Sequence, residues 1–122
     1  MRILIVDDDA MAGEMTGAVL EGAGHEVVLA ENAIEAGEKL NGEGGFALII
    51  SDMNMPMVSG IDLFRELRSQ GNDLPFILLT GDEPEGLLAE EPKLDACLLK
   101  DFSLEETLPQ IVDEVMARHA AA

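Results

Sequence analysis

The stretch Phe46-Ala47-Leu48-Ile49-Ile50-Ser51-Asp52-Met53-Asn54-Met55-Pro56 decides the fold. Its first five residues are all apolar, without the polar alternation of a strand that has one wet face. They therefore read as a strand covered on both sides, as in a parallel sheet. Ser51 and Asp52 end the run, and Pro56 helps turn the chain away from it. Working outward, apolar runs recur at Ile3 to Val6, Phe76 to Leu79 and Cys97 to Leu99. Strands are expected near residues 2–6, 25–30, 46–51, 75–79 and 96–99. The segments between them carry a helical period, and strands alternating with helices give an α/β fold with a parallel sheet.

Helix starts carry local signals. Asn32 with Glu35, Ser59 with Asp62, and Ser103 with Glu106 each place a capping side chain three residues ahead of a carboxylate. Asp9 is positioned to cap the first helix, whose inward stripe is expected to be Met11, Met15, Ala18 and Val19. The last helix shows an apolar stripe of Leu104, Leu108, Ile111, Val112 and Val115, interrupted by Pro109. That proline predicts either a kink or a later start, with Thr107 as cap and Gln110 as its partner. Gly81, Pro84, Gly86 and Pro92 leave room for no more than a short helix near residues 84–91.

A chain of 122 residues is the size of one ordinary domain, so residues 1–122 are expected to form a single unit. No apolar run approaches the roughly 20 residues of a membrane span, and no secretory leader is visible. The expected compartment is the cytoplasm, with no membrane partner. Cys97 is the sole cysteine, which excludes an intrachain disulfide and a multi-cysteine zinc site. The formal charge of −18, from 25 acidic and 7 basic side chains, would repel a phosphate backbone, so no nucleic-acid partner is expected.

In an open parallel sheet, ligand sites form beyond the carboxyl ends of the strands. That rule gathers Asp7 and Asp8 after the first strand, Asp52 at the end of the third, Thr80 at the end of the fourth and Lys100 at the end of the fifth. Three carboxylates on one rim repel each other unless a cation lies between them. A hard divalent ion, Mg2+, suits an all-oxygen set of this kind. Zinc does not, because His25 and His119 lie elsewhere in the sequence, His119 as a solvated tail residue.

The motifs Ile5-Val6-Asp7-Asp8, Ile50 to Pro56 followed by Gly60, Leu78-Leu79-Thr80-Gly81, and Lys100 with Phe102 fall at successive strand ends. In that order and spacing they resemble the bacterial response-regulator receiver family, including its single-domain chemotaxis members, over essentially the whole chain. The resemblance implies a flavodoxin-like doubly wound sheet of five parallel strands, order 2-1-3-4-5, with helices on both faces. It implies that Asp52 accepts a phosphoryl group, that Asp8, Asp7, Asp52 and the main-chain carbonyl of Asn54 hold Mg2+, that Thr80 hydrogen-bonds the phosphoryl group, and that Lys100 pairs with Asp52 and then with a phosphoryl oxygen. The amides of Met53 and Gly81 are implied as further donors. The implied partners are a sensor histidine kinase or histidine phosphotransfer protein, and a separate output protein, since no output domain follows the last helix.

Two positions depart from the family pattern. Asp101 stands where receivers usually have a proline, often with a cis peptide, which puts the placement of Lys100 in question. Cys97 stands where an inward-swinging Tyr or Phe is common. These departures motivate a second reading, a degraded receiver that only binds a partner. A third, a haloacid-dehalogenase-type phosphohydrolase, would make Asp7 the nucleophile of an Asp7-x-Asp9 pair but leaves Asp52 without a role. Asp82, two places beyond Thr80, is expected to orient hydrolytic water and so to set the lifetime of a phosphorylated state.

Overall fold

A computed structural model describes residues 1–42, 44–81, 83–101 and 103–121. The strands are β1 (Arg2–Val6), β2 (Glu26–Ala30), β3 (Leu48–Asp52), β4 (Phe76–Thr80) and β5 (Ala96–Leu99). The helices are α1 (Ala10–Gly22), α2 (Ala33–Gly42), α3 (Gly60–Ser69), α4 (Pro84–Glu90) and α5 (Leu104–Ala121). All strand pairs are parallel, in the order β2-β1-β3-β4-β5, as the resemblance implied. Among the described residues no helix is long and apolar enough to cross a membrane.

The continuous apolar runs exist because both faces of the sheet are covered. Leu4, Val6, Ile49, Phe76, Leu78 and Cys97 point to one face and pack with Ala36 of α2 and Ile61, Phe64 and Leu67 of α3; Leu87 and Leu88 of α4 close that layer. Ile3, Ile5, Leu48, Ile50, Ile77 and Leu79 point to the other, against Leu20 of α1 and Leu108, Val112 and Val115 of α5. Phe64 meets Phe76 edge to face, with ring centroids 5.2 Å apart, a favoured aromatic geometry.

Asp9 caps α1 through the amides of Met11 and Ala12, Asn32 caps α2 through the Glu35 amide, and Ser59 caps α3 through the Asp62 amide. At α5 the outcome differs from the expected cap. The Ser103 hydroxyl donates to Asp101, and it is the Ser103 carbonyl that accepts from Glu106 and Thr107. The helix starts at Leu104 and runs through Pro109 rather than beginning after it. The bond Pro109 cannot make is the one to Glu105, the second residue of the helix, so the loss falls on its exposed first turn and not on its middle.

The inward stripe expected for α1 is overturned. Met11 and Met15 are 71% and 66% exposed, and the helix packs through Gly13, Thr16, Gly17 and Leu20. A side chain at Gly17 would come within 3.1 Å of Val27, so α1 lies on the sheet through its smallest residues. The methionines are pushed to the solvent side. His119 is also not a free tail residue: its Nε2 lies 2.6 Å from Asp95 Oδ1. Asp95 in turn accepts from the Phe76 amide at 2.7 Å, and its carbonyl accepts from Arg118. This knot ties the end of α5 to the starts of β4 and β5.

Gly60 opens α3 directly against the end of β3. A Cβ there would lie 2.5 Å from the Asp52 carbonyl oxygen and 3.1 Å from the Met53 Cα, and would collide with the Leu78 side chain. Gly60→Ala is expected to cost about 2–3 kcal/mol, the scale of overpacking against an unyielding backbone. Urea unfolding, read as a lowered midpoint at unchanged slope, checks this.

Candidate functional site

The sheet order places the site. The chain leaves β1 toward β2 on one side and returns to β3 on the other, which opens a crevice at their carboxyl ends. In the parallel register Val6 pairs with Ser51, so the next residues, Asp7 and Asp52, stand side by side. Asp52 pairs with Leu79, and Thr80 with Leu99. The polar ends of four neighbouring strands thus reach one rim.

Each side chain is held by its surroundings. The Asp7 amide donates to the Ala30 carbonyl at 3.0 Å, and Asp7 Oδ1 accepts from the Asp9 amide at 2.9 Å. The same Asp9 caps α1, so helix start and carboxylate placement are one structure. Asp7, Asp52 and Thr80 are buried, whereas Asp8 is exposed. Carboxylate oxygens of Asp7, Asp8 and Asp52 lie within 4.8 Å of one another. Oxygens on opposite sides of an octahedral magnesium ion are about 4.2 Å apart, so small side-chain movements suffice to bring this set around one hard cation.

Lys100 faces the carboxylates. Its Nζ donates to Asp7 Oδ2 at 3.0 Å and lies 3.2 Å from Asp52 Oδ1. Its backbone amide donates to the Thr80 carbonyl at 2.7 Å. The peptide after it is not cis, since no cis bond occurs among the described residues. Asp101 therefore does not prevent the ammonium from reaching the site.

The electrostatics follow from burial and proximity. Desolvation, the largest influence, pushes the Asp52 carboxyl above its ordinary value. Lys100 pulls it down, the neighbouring Asp7 pushes it up again, and the net direction is upward. Burial also works against the Lys100 ammonium, but the hydrogen bond to Asp7 and the charges of Asp52 and Asp7 outweigh it, and its net shift is upward. Cys97, in β5, has its thiol pushed up by burial alone, which leaves it an inert core group.

The structure thus brings together Asp7, Asp8, Asp52 and Lys100, and sets buried Thr80 at the neighbouring strand end. Asn54 is exposed, and its main-chain amide hydrogen-bonds to the Asp52 carboxylate. That contact was not anticipated from sequence, since a main-chain donor leaves no signature in residue type. The Met53 amide, expected as a donor to the phosphoryl group, instead donates to the Leu79 carbonyl at 2.7 Å, extending the ladder between β3 and β4. Asp82 and Phe102 lie outside the described residues.

Comparisons with known proteins agree with this architecture. The family model for the response regulator receiver domain matches residues 3–112. The response regulator MprA of Mycobacterium avium is 36% identical over 113 residues, covering 91% of this chain and 49% of that protein. The transcriptional regulatory protein CpxR homolog of Haemophilus influenzae is 35% identical over 112 residues, covering 90% of this chain and 48% of that protein. The chain spans about half the length of the curated relatives it matches. Among solved structures, the Thermotoga maritima response regulator TrrA in complex with Mg2+-BeF superposes with a TM-score of 0.82 at 32% identity, covering 93% of this chain and 97% of that one. The Vibrio cholerae chemotaxis protein CheY4 superposes with a TM-score of 0.82 at 31% identity and the same coverage of both chains. The chain therefore belongs to the response regulator receiver domain family.

Proposed function

We propose that this chain is a single receiver domain, residues 1–122, that works as a phosphoacceptor in a two-component phosphorelay, with Asp52 as the residue phosphorylated. The observation that carries the reading is the contact of the Lys100 ammonium with both Asp7 and Asp52 at a rim shared by Asp8. Membership of the receiver family supports this reading.

Asp7, Asp8 and Asp52, together with the main-chain carbonyl of Asn54, would hold Mg2+. Bound there, the ion offsets the negative charge of the carboxylates and of an incoming phosphoryl group. The chain's own residues do the rest. An Asp52 oxygen attacks phosphorus as the bond to the donor's imidazole nitrogen breaks, and the bonding electrons leave with that nitrogen. Lys100 shifts from Asp52 toward a phosphoryl oxygen, and Thr80 donates its hydroxyl to another. Charge in such a transition state sits on the equatorial oxygens, so fixed donors and positioning supply most of the acceleration. The domain is not an enzyme toward external substrates; it promotes only its own phosphorylation and dephosphorylation. Its partners are a sensor histidine kinase or histidine phosphotransfer protein upstream and an output protein downstream, in the cytoplasm.

Incubation with Mg2+ and acetyl phosphate, followed by mass spectrometry, tests the reading. Label is expected on Asp52, with at least a hundredfold loss in Asp52→Asn or when EDTA removes the cation. Label on Asp7 would instead indicate the phosphohydrolase, and a folded protein without label would indicate a binding module that has lost its chemistry.

The charge cluster also makes a stability prediction. Because burial raises the Asp52 carboxyl above its ordinary value of 3.8, the ionised form weakens the folded state. That cost is absent below the ordinary value, grows as pH rises toward the folded-state value and is complete above it. Metal-free Asp52→Asn is therefore expected to be more stable than the parent at pH 7, by on the order of 1 kcal/mol, with the gain vanishing near pH 3. Thermal melts across that range check the sign.

Mg2+ should raise the melting temperature of the parent chain, by an amount equivalent to about 2.7 kcal/mol at a hundred times its dissociation constant. The same addition should do much less for Asp52→Asn. Melts with and without the ion measure both.

A further inference from the structure

Lys100 has a long, flexible side chain whose ordering costs roughly 2 kcal/mol of rotamer entropy, yet its ammonium sits between two particular carboxylates. Its backbone must be fixed on both sides for that to hold. Behind it, the Lys100 amide donates to the Thr80 carbonyl at 2.7 Å. Ahead of it stands Asp101, where the family pattern has a ring that stiffens the chain. Asp101 Oδ1 accepts from the Ser103 amide at 2.9 Å and from the Ser103 hydroxyl at 2.6 Å, while the Asp101 carbonyl accepts from the Leu104 amide at 3.2 Å. The Ser103 carbonyl then accepts from Glu106 and Thr107 at 3.0 and 2.8 Å, so the turn that Asp101 braces leads straight into the first turn of α5.

We infer that Asp101 is a positioning residue: the hydrogen bonds its carboxylate accepts from Ser103 brace the turn between β5 and α5, and this turn holds the Lys100 ammonium on Asp7 and Asp52. The brace acts through geometry and not through charge. Asp101 is exposed, where solvent screens its field, and the charges that bear on Lys100 are those of Asp7 and Asp52. An amide oxygen at position 101 can replace the carboxylate as acceptor, whereas a methyl group cannot. The consequence for phosphorylation rests on the phosphoacceptor reading above; the placement of Lys100 does not.

The test uses both layers. Lys100 is one of three lysines, and its ammonium can be followed in nitrogen-15 spectra of the metal-free chain, where protection by buried carboxylates slows hydrogen exchange. Exchange in Asp101→Asn should stay within twofold of the parent, and in Asp101→Ala it should accelerate at least tenfold. The rate of Asp52 labelling by acetyl phosphate should follow the same ranking, with the half-saturating Mg2+ concentration unchanged. Circular dichroism confirms that each variant folds, as expected for an exposed position. Equal exchange in Asp101→Ala and the parent overturns the inference. So does an Asp101→Asn that behaves like Asp101→Ala, because the charge would then be the active feature. If exchange follows the expected ranking but no variant, nor the parent, is labelled on Asp52, the phosphoacceptor reading fails while the positioning role stands.

Discussion

Two carboxylates that repel each other are brought within 4.8 Å by the register of a parallel sheet, and a single ammonium group lies against both. Val6 and Ser51 are neighbours in the ladder, so Asp7 and Asp52 cannot separate without unzipping β1 from β3. Those strands are central, and their flanking side chains are buried on both faces. The core therefore supplies the free energy that keeps an unfavourable charge arrangement in place, and the ion pairs with Lys100 offset only part of it.

The fold was largely legible from hydrophobic runs, because a strand buried on both faces cannot hide its composition. The strand ends at Asp52 and Thr80 were legible for the same reason: polar residues, Ser51 with Asp52 and then Thr80, close the apolar runs. Side-chain direction on helices was less so. Met11 and Met15 have the spacing of a core stripe, yet Gly13 and Gly17 provide the close approach that α1 uses on the sheet. A small-residue face and a large-residue face share the same period, and composition alone favours the wrong one.

At the site, residue types announced Asp7, Asp8, Asp52, Thr80 and Lys100, but main-chain roles remained hidden. The Asn54 amide bonds to Asp52 and the Met53 amide belongs to the ladder, an assignment that depends on the strand's last pairing. Ser103 illustrates the same difficulty in a side chain. Its spacing from Glu106 suggests a reciprocal cap, whereas a nearer acceptor, Asp101, takes its hydroxyl. His119 gave no local cue either, since its partner Asp95 lies 24 residues away.

The fit of Gly60 against the Asp52 carbonyl and Met53 has a mechanical implication. The main chain just beyond Asp52 is wedged against the first turn of α3, which resists a rigid shift of that strand end. A change of charge on Asp52 is felt directly by the Lys100 ammonium, 3.2 Å from its carboxylate. That end of β3 is the fixed edge against which the rest of the site is built.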